Sequence, residues 1–146
     1  GTRVFPVGRL DKDSEGLLLF TNDGALMQAM THPKHQVDKV YEVTVTGALE
    51  GAAARLAAVT ALEDGTPVVP AQVEAVRQKG GQALLRITIH QGKNRQIRRM
   101  CAQVGLQVVR LRRIAEDGLA LGGLKAGQWR YLTDAEISAL KGSEKI

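Results

Sequence analysis

A carboxylate stands in a short, glycine-bounded loop near the start of the chain. Asp11 follows Gly8-Arg9-Leu10, and the loop continues through Gly16 into the apolar run Leu17-Leu18-Leu19-Phe20. An ionised carboxylate beside a buried strand can act as a nucleophile or can take a proton from a substrate. An ordinary turn aspartate has the same spacing. We interpret Asp11 as the catalytic group, with the turn residue as the alternative.

Two further carboxylates of this loop suggest another chemistry. Asp13 and Glu15 stand close to Asp11, and glycoside hydrolases use two carboxyl groups that flank the scissile bond. Neighbouring residues of one loop rarely face each other across such a bond. This interpretation is therefore the weaker one, and it requires two carboxyl groups on opposite walls of a cleft.

A second cluster opens a predicted helix over residues 95–104, with Asn94 as its cap. Arg95, Arg98 and Arg99 are spaced i, i+3 and i+4, so they share one helix face. Cations at a helix N-terminus oppose its macrodipole, and their position indicates an anionic partner, a phosphate or a carboxylate. A solvated basic face is the alternative.

Three other residue types have simpler interpretations. Tyr41 lies on the inward face of an alternating strand, where a core tyrosine is expected. Cys101 falls on the apolar stripe of the predicted helix and indicates packing. His32 and His35 have a loose metal-like spacing, but no other Cys or His supports them, so we interpret them as loop residues and predict no metal site.

Hydrophobic periodicity predicts the scaffold that positions these residues. Short connections indicate one α/β domain, of the mixed α+β kind, over residues 1–146, with a mostly antiparallel sheet and helices on one side. Pro67 and Pro70 place an extended segment over residues 66–77 at a sheet edge. The predicted strands are 16–21, 39–47, 82–90, 106–115 and 129–132, and the predicted helices are 25–31, 49–59, 95–104 and 133–140, the last opened by a capping box at Thr133-Asp134-Ala135-Glu136.

Charge is distributed unevenly along the chain. The formal net charge is +5, but residues 75–115 contain ten Lys and Arg and no acid, which leaves −5 for the remainder. Such a concentration is typical of a surface that binds a polyanion, above all nucleic acid. Within it, Arg110 and Arg112 are predicted to lie on the strand face opposite Val109 and Leu111.

The cellular location follows from what the composition excludes. One cysteine cannot form an internal disulfide and fits a reducing compartment. No apolar run reaches the ~20 residues of a membrane helix, and no signal peptide opens the chain. We expect a cytoplasmic protein that acts as a monomer.

Three separated stretches together resemble the catalytic motifs of pseudouridine synthases, more narrowly those of the RsuA family, which modifies ribosomal RNA. The first is Gly8-Arg9-Leu10-Asp11 with residues 14–24, and the second is Thr31-His32-Pro33 with Lys39-Val40-Tyr41. The third is the stretch from Gly92 to Cys101, and residues 124–133 resemble the C-terminal signature. Within the third stretch, the motif over residues 94–99 is most similar to members that act on large-subunit RNA; it reads Asn94-Arg95-Gln96-Ile97-Arg98-Arg99.

The resemblance implies a role for several residues. Asp11 would be the catalytic aspartate, Arg98 the basic residue paired with it, and Tyr41 the tyrosine against the target base. Arg9 would belong to the catalytic loop and contact RNA. The remaining residues expected to bind RNA are Lys93, Asn94, Arg95, Gln96, Arg99, Arg110 and Arg112.

The implied reaction detaches uracil from C1′ of its ribose, turns the base and rejoins it through C5. As an isomerisation it requires no redox cofactor, energy source or metal. Asp11 would either attack C1′ or remove the C2′ proton to give a glycal, and both routes stay open. Arg98 would keep Asp11 ionised at neutral pH, and Tyr41 would stack on the detached base and assist in removing the C5 proton.

The chain departs from the family pattern at its start. Catalytic domains of the family begin upstream with a strand that carries a Lys-Pro motif, and many members add an RNA-binding domain of the S4 type. Residues 1–146 contain neither, so we expect a catalytic domain without its first part and with one sheet edge unpaired. The alternative function is a non-catalytic RNA-binding or ribosome-assembly module of the same fold.

Overall fold

The fold is built on a six-stranded mixed sheet. The computed structural model describes residues 4–7, 10, 13–21, 38–90, 95–116, 119–120, 124 and 130–137. Its strands are β1 Phe5–Val7, β2 Glu15–Gly16, β3 Leu19–Thr21, β4 Lys39–Gly47, β5 Gln72–Lys79, β6 Gln82–Ile89, β7 Leu106–Glu116 and β8 Leu119–Ala120, and its helices are α1 Ala52–Ala57 and α2 Gln96–Gln103. The sheet has the order β2-β7-β4-β6-β5, with β8 also on β7. Among the strand pairings of the described residues, only that of β2 with β7 is parallel, which confirms the predicted, mostly antiparallel sheet.

Strand β4 forms the centre of the sheet and has the predicted bounds. Its alternation places Tyr41, Val43 and Val45 on one face, and both valines are completely buried. Val43 is in register with Leu85 of β6 and Leu111 of β7, so three neighbouring strands bury the same face.

Both described helices cover this apolar face. Leu56 of α1 and Ile97, Met100 and Cys101 of α2 are buried in one cluster with Val43 and its neighbours. Burial raises the pKa of the Cys101 thiol to about 12, so the thiol stays protonated, which agrees with the predicted packing role. None of the helices in the described ranges is long and apolar enough to cross a membrane.

The opposite face of the sheet is polar and carries a row of alternating charges. Five charged residues stand side by side, one on each of β2, β7, β4, β6 and β5: in this order they are Glu15, Arg112, Glu42, Arg86 and Glu74. We call this set the charged row. Glu42 accepts a hydrogen bond of 2.8 Å from Arg112 and lies 4.0 Å from Arg86, which also pairs with Glu74 at 3.3 Å. Cross-strand pairs of opposite charge stabilise a sheet by roughly 0.2–1 kcal/mol each.

The predicted strand over residues 16–21 is wrong as a single strand. It is divided into β2, which pairs with β7, and β3, which pairs with β1. Gly16 has a φ of 117°, and a Cβ at this position would collide with the backbone of Arg113. The chain therefore bends at Gly16 and leaves the large sheet.

The bounds of β5 also differ from the predicted segment 66–77, although its edge position is confirmed. Pairing with β6 begins only at Gln72, beyond Pro67 and Pro70, since proline offers no N–H to a ladder, and Pro67 forms an isolated bridge with Ala61 instead. On β7, the register moves from Arg110 to Val108, which leaves Val109 in a bulge and 56% exposed. The prediction that Val109 shares a face with Leu111 was therefore wrong.

The C-terminal segment contains the predicted capping box. The Thr133 N–H donates to Glu136 Oε1 at 2.8 Å, and the Glu136 N–H donates to Thr133 Oγ1 at 3.2 Å. A helical turn follows over residues 134–137, whereas residues 130–132 form no strand, contrary to the prediction. The predicted helix 25–31, Trp129 and residues 138–140 lie outside the described residues.

Candidate active site

The predicted catalytic loop is described on both sides of its aspartate. Leu10 and residues 13–16 belong to the described ranges, whereas Asp11 and Arg9 lie outside them, as do Lys93 and Asn94. The placement of the site therefore rests on the contacts made by Asp13 to Leu17, a segment that begins two residues after Asp11.

The N-terminus of α2 is attached to this loop by a bidentate ion pair. Arg95 Nη1 and Nη2 donate to Asp13 Oδ1 and Oδ2 at 2.9 and 2.8 Å. The hydrogen bond from Arg95, aided by the charge of Arg98, lowers the pKa of the Asp13 carboxyl to about 2. The sequence predicts an anionic partner for the arginines of this helix. For Arg95 that partner is the carboxylate of Asp13 in the same protein.

Arg95 also begins the helix in an unusual conformation. Its φ of 50° is the only positive value among the described non-glycine residues. It precedes Gln96 as the N-cap, and its side chain forms no capping hydrogen bond, which corrects the predicted cap at Asn94. A non-glycine residue in the left-handed region costs roughly 1–2 kcal/mol. The bidentate pair with Asp13 is made in this conformation.

Arg98 reaches the same loop from the next turn of α2. Its Nη2 donates to the Asp13 carbonyl at 2.7 Å, and its Nε lies 3.6 Å from Asp13 Oδ1. The side chain is only 17% exposed, and its buried Nε has no hydrogen-bond partner among the described residues. The structure therefore attaches Arg98, the predicted partner of Asp11, to Asp13, which follows Asp11 by two residues in the chain.

Tyr41 lies on the sheet face that α2 covers. It is half-buried in β4, packs against the main apolar cluster, and is in register with Ile87 of β6 and Arg113 of β7. Tyr41 and α2 thus share one side of the sheet.

Arg113 is a buried charged residue, bonded to the end of the predicted catalytic loop, that the sequence analysis missed. Its side chain is 2% exposed, donates from Nε to the Leu17 carbonyl at 2.8 Å, and pairs with Glu116 at 3.4 Å. Alternation along β7 was a usable signal, because it places Arg113 on the same face as the buried Leu111. Lys39 is in register with Glu116, and burial lowers the pKa of its ammonium group.

The other predicted RNA-binding residues are placed in three different surroundings. Arg99 pairs with Glu63 at 2.7 Å and with Asp64 at 3.0 Å, away from the Asp13 pair that holds Arg95. Gln96 is buried, with its Nε2 3.8 Å from Met100 Sδ, which argues against a direct RNA contact. Arg110 pairs with Glu15 at 2.6 Å and Arg112 with Glu42, on the face opposite Tyr41.

The described residues contain no group of three or more His, Cys, Asp or Glu that could hold a metal ion.

Comparison with known proteins adds an independent observation. The model of a family described as RNA pseudouridylate synthase matches residues 1–103. The ribosomal large subunit pseudouridine synthase B of Bacillus subtilis is 39% identical over 95% of this chain and 58% of its own length. The dual-specificity RNA pseudouridine synthase RluF of Escherichia coli is 38% identical over 92% of this chain and 45% of its own length.

A solved structure agrees with these relatives. The crystal structure of a pseudouridylate synthase superposes with a TM-score of 0.84 at 34% identity, covering 94% of this chain and 59% of that chain. The chain therefore spans about half the length of the curated relatives it matches. The family match over residues 1–103 includes β4 and the whole of α2, the elements that carry Tyr41 and Arg98.

Proposed function

Because this chain belongs to the RNA pseudouridylate synthase family, we propose that it isomerises uridine to pseudouridine in RNA. The observation that carries the proposal is the attachment of α2 to the loop that contains Asp11. Arg98 and Arg95 both bind Asp13, two residues from the proposed catalytic aspartate. Tyr41 lies on the same side of the sheet, half-buried beside the cluster that anchors α2.

Each of these residues has a chemical task in the proposed reaction. The Asp11 carboxylate either bonds to C1′ as the N1–C1′ bond breaks and is displaced when C5 bonds to C1′, or it removes the C2′ proton to give a glycal and returns that proton when the C5–C1′ bond forms. The Arg98 guanidinium favours the ionised carboxylate, since an opposite charge within a few ångströms lowers the pKa of an aspartate. Tyr41 stacks on the detached uracil while C5 replaces N1 at C1′, and it assists the loss of the C5 proton.

We further propose ribosomal RNA, most closely that of the large subunit, as the substrate. The Bacillus subtilis relative is named for that subunit, and the motif over residues 94–99 is similar to members of that type. The target base must leave its stack to reach Asp11, at a cost of a few kcal/mol, and phosphate contacts offset that cost. We place the reaction in the cytoplasm and expect a monomer.

The proposed RNA contacts are Arg9, Lys93, Asn94, Arg95 and Arg99. Arg95 and Arg99 bind carboxylates of the protein, but a guanidinium has five N–H donors, so an RNA phosphate can join Asp13 at Arg95 and the pair Glu63 and Asp64 at Arg99. For Arg110 and Arg112, RNA contact stays a prediction that requires the replacement of Glu15 and Glu42.

The test is pseudouridine mapping of ribosomal RNA from source cells that express the whole protein or its Asp11→Asn variant. Loss of one or two sites in the variant, with all others retained, establishes the activity and the role of Asp11 together. An unchanged map, combined with RNA binding by both proteins, supports the non-catalytic binding module instead. Arg98→Gln provides a second arm, in which the same sites are lost.

A further inference from the structure

Arg113 is the largest of the completely buried side chains in the described structure. Its neighbour Arg112 points to the opposite face of the sheet and belongs to the charged row, where Glu42 neutralises it. A buried guanidinium is expensive unless it is paired and hydrogen-bonded, and an apolar residue of similar volume is often at least as stable. Stability alone therefore gives a weak reason for an arginine at this position.

The contacts of Arg113 converge on the end of the catalytic loop. Its Nε donates to the Leu17 carbonyl at 2.8 Å, and its own carbonyl accepts from the Leu17 N–H at 2.8 Å. Gly16 is its partner in the parallel β2–β7 pairing and leaves no room for a side chain between the two strands. One residue therefore fixes both peptide groups of Leu17.

The same residue is in register with Tyr41 on β4. Arg113 therefore stands between the strand that carries the proposed base-stacking tyrosine and the loop that carries Asp11. We propose that Arg113 is a positioning residue that fixes Leu17, and through it the Asp11 loop, against the Tyr41 strand. This inference rests on the proposed function and concerns the geometry of that same site.

The buried charges around Arg113 show which of its interactions is replaceable. Glu116 lies 3.4 Å away and is itself almost completely buried, and Lys39 is in register with it on β4. Removing Arg113 and the charge of Glu116 together leaves the net charge of this cluster unchanged. The Leu17 hydrogen bond is the contact that such a double change does not restore.

The test compares Arg113→Met/Glu116→Gln, Arg113→Lys and Gly51→Ala with the unmodified whole protein. We measure the single-turnover rate of pseudouridine formation, the Kd for substrate RNA and the midpoint of thermal unfolding. The double variant is expected to keep its midpoint and its Kd while its rate falls at least about tenfold, because misplacement of a reacting group by 1 Å costs on the order of a hundredfold. Arg113→Lys keeps one donor and the charge, so it recovers part of the rate.

Gly51→Ala is the control for a loss of stability alone. Gly51 precedes α1 with a φ of 65°, which disfavours a side chain, and no atom lies within 4 Å of the added Cβ, so this variant is expected to unfold at a lower temperature with an unchanged rate. If the double variant turns over at the unmodified rate, or if every loss of rate follows the thermal midpoint, the positioning role is overturned.

Amide hydrogen exchange at Leu17 separates the failure of this inference from that of the proposed function. The double variant should exchange Leu17 at least about tenfold faster than the unmodified protein, since one of the two anchors of that residue is lost. An unmodified protein that forms no pseudouridine contradicts the proposed function. Unchanged Leu17 exchange contradicts the positioning role, whether or not the protein is active.

Discussion

Asp13 connects two segments that are far apart in the chain. Its carboxylate binds Arg95 and its carbonyl binds Arg98, so the first turns of α2 are fixed to the loop beside Asp11. The pair is partly exposed, with 43% of each side chain in contact with solvent. Its contribution is therefore to geometry more than to the free energy of folding.

The titration of Asp13 provides the first prediction. Its pKa is about 2 in the folded protein and 3.8 in an unperturbed chain, so the ionised form is favoured in the folded state. The stabilisation is present above pH 3.8 and is lost as the pH falls toward 2. Carboxyl-carbon NMR should show the Asp13 pKa rising toward 3.8 in Arg95→Gln.

Asp64 is the matched control for this titration. Its pKa is also about 2, held there by hydrogen bonds from Thr66 and by Arg99. It should not move in Arg95→Gln. A titration curve of Asp13 that is equally unaffected would contradict the bidentate pair.

Gly16 provides a second prediction at this scale. We expect Gly16→Ala to lower the free energy of unfolding by at least about 1–2 kcal/mol, because its positive φ disfavours a side chain and the new Cβ meets the Arg113 backbone. Gly65→Ala is the control, since its φ is also positive, at 87°, but no atom lies within 4 Å of the added Cβ. Urea denaturation compares the two, and equal losses would show that the close approach at Gly16 is unimportant.

At the scale of elements, the ion pairs of the charged row connect β7, β4, β6 and β5, whose pairings are otherwise made by backbone hydrogen bonds. Glu42 occupies its centre between Arg112 and Arg86, with 23% of its side chain exposed. Glu74 ends the row at the edge strand with 66% exposed. The two glutamates therefore have the same chemistry in different surroundings.

Replacing each glutamate by glutamine tests the row. We expect Glu42→Gln to lower the free energy of unfolding by about 0.5–1 kcal/mol, with the loss reduced at high salt. Glu74→Gln should change it far less, because an exposed pair is well screened. Urea denaturation at two salt concentrations measures both, and a larger loss for Glu74→Gln would contradict this ranking.

The elements also show what a sequence can predict. The bounds of β4 follow from strict alternation, and α2 follows from an apolar stripe at helical spacing, because both signals are local. The close approach at Gly16 involves the backbone of Arg113, and the ion pair of Arg95 is made with Asp13. Neither partner is near in sequence, so periodicity could not reveal these features. The internal ion pairs of the arginines were missed for the same reason.

At the scale of the whole molecule, the concentration of positive charge in residues 75–115 is largely neutralised by folding. Each of the following has a carboxylate within 4 Å: Arg86, Arg95, Arg98, Arg99, Arg110, Arg112 and Arg113. Arg77 and Lys79, on the edge strand β5, have no carboxylate partner in the described part of the chain. A sequence count of charges therefore overstates the basic surface.

RNA binding should reflect this difference. Replacing both Arg77 and Lys79 by glutamine should weaken the binding of a ribosomal RNA transcript and reduce the slope of log K against log salt by about 1.5. Arg86→Gln is the control, because its charge is already neutralised by Glu74 and Glu42, and its slope should stay unchanged. Filter binding at several salt concentrations measures all three proteins, and equal slopes would show that β5 takes no part in binding.

The attachment of residues 13–17 has a consequence for how the protein is made. Their recorded distant partners lie between Arg95 and Arg113, some 82 to 96 positions later in the chain. A growing polypeptide leaves the ribosome N-terminus first, so the segment after Asp11 emerges long before anything that can hold it. Even a chain that stops at residue 103, where the family match ends, lacks β7. The proposed catalytic geometry thus depends on parts of the chain that emerge late, and a chain cut short before β7 contains Asp11 without the anchors of the segment that follows it.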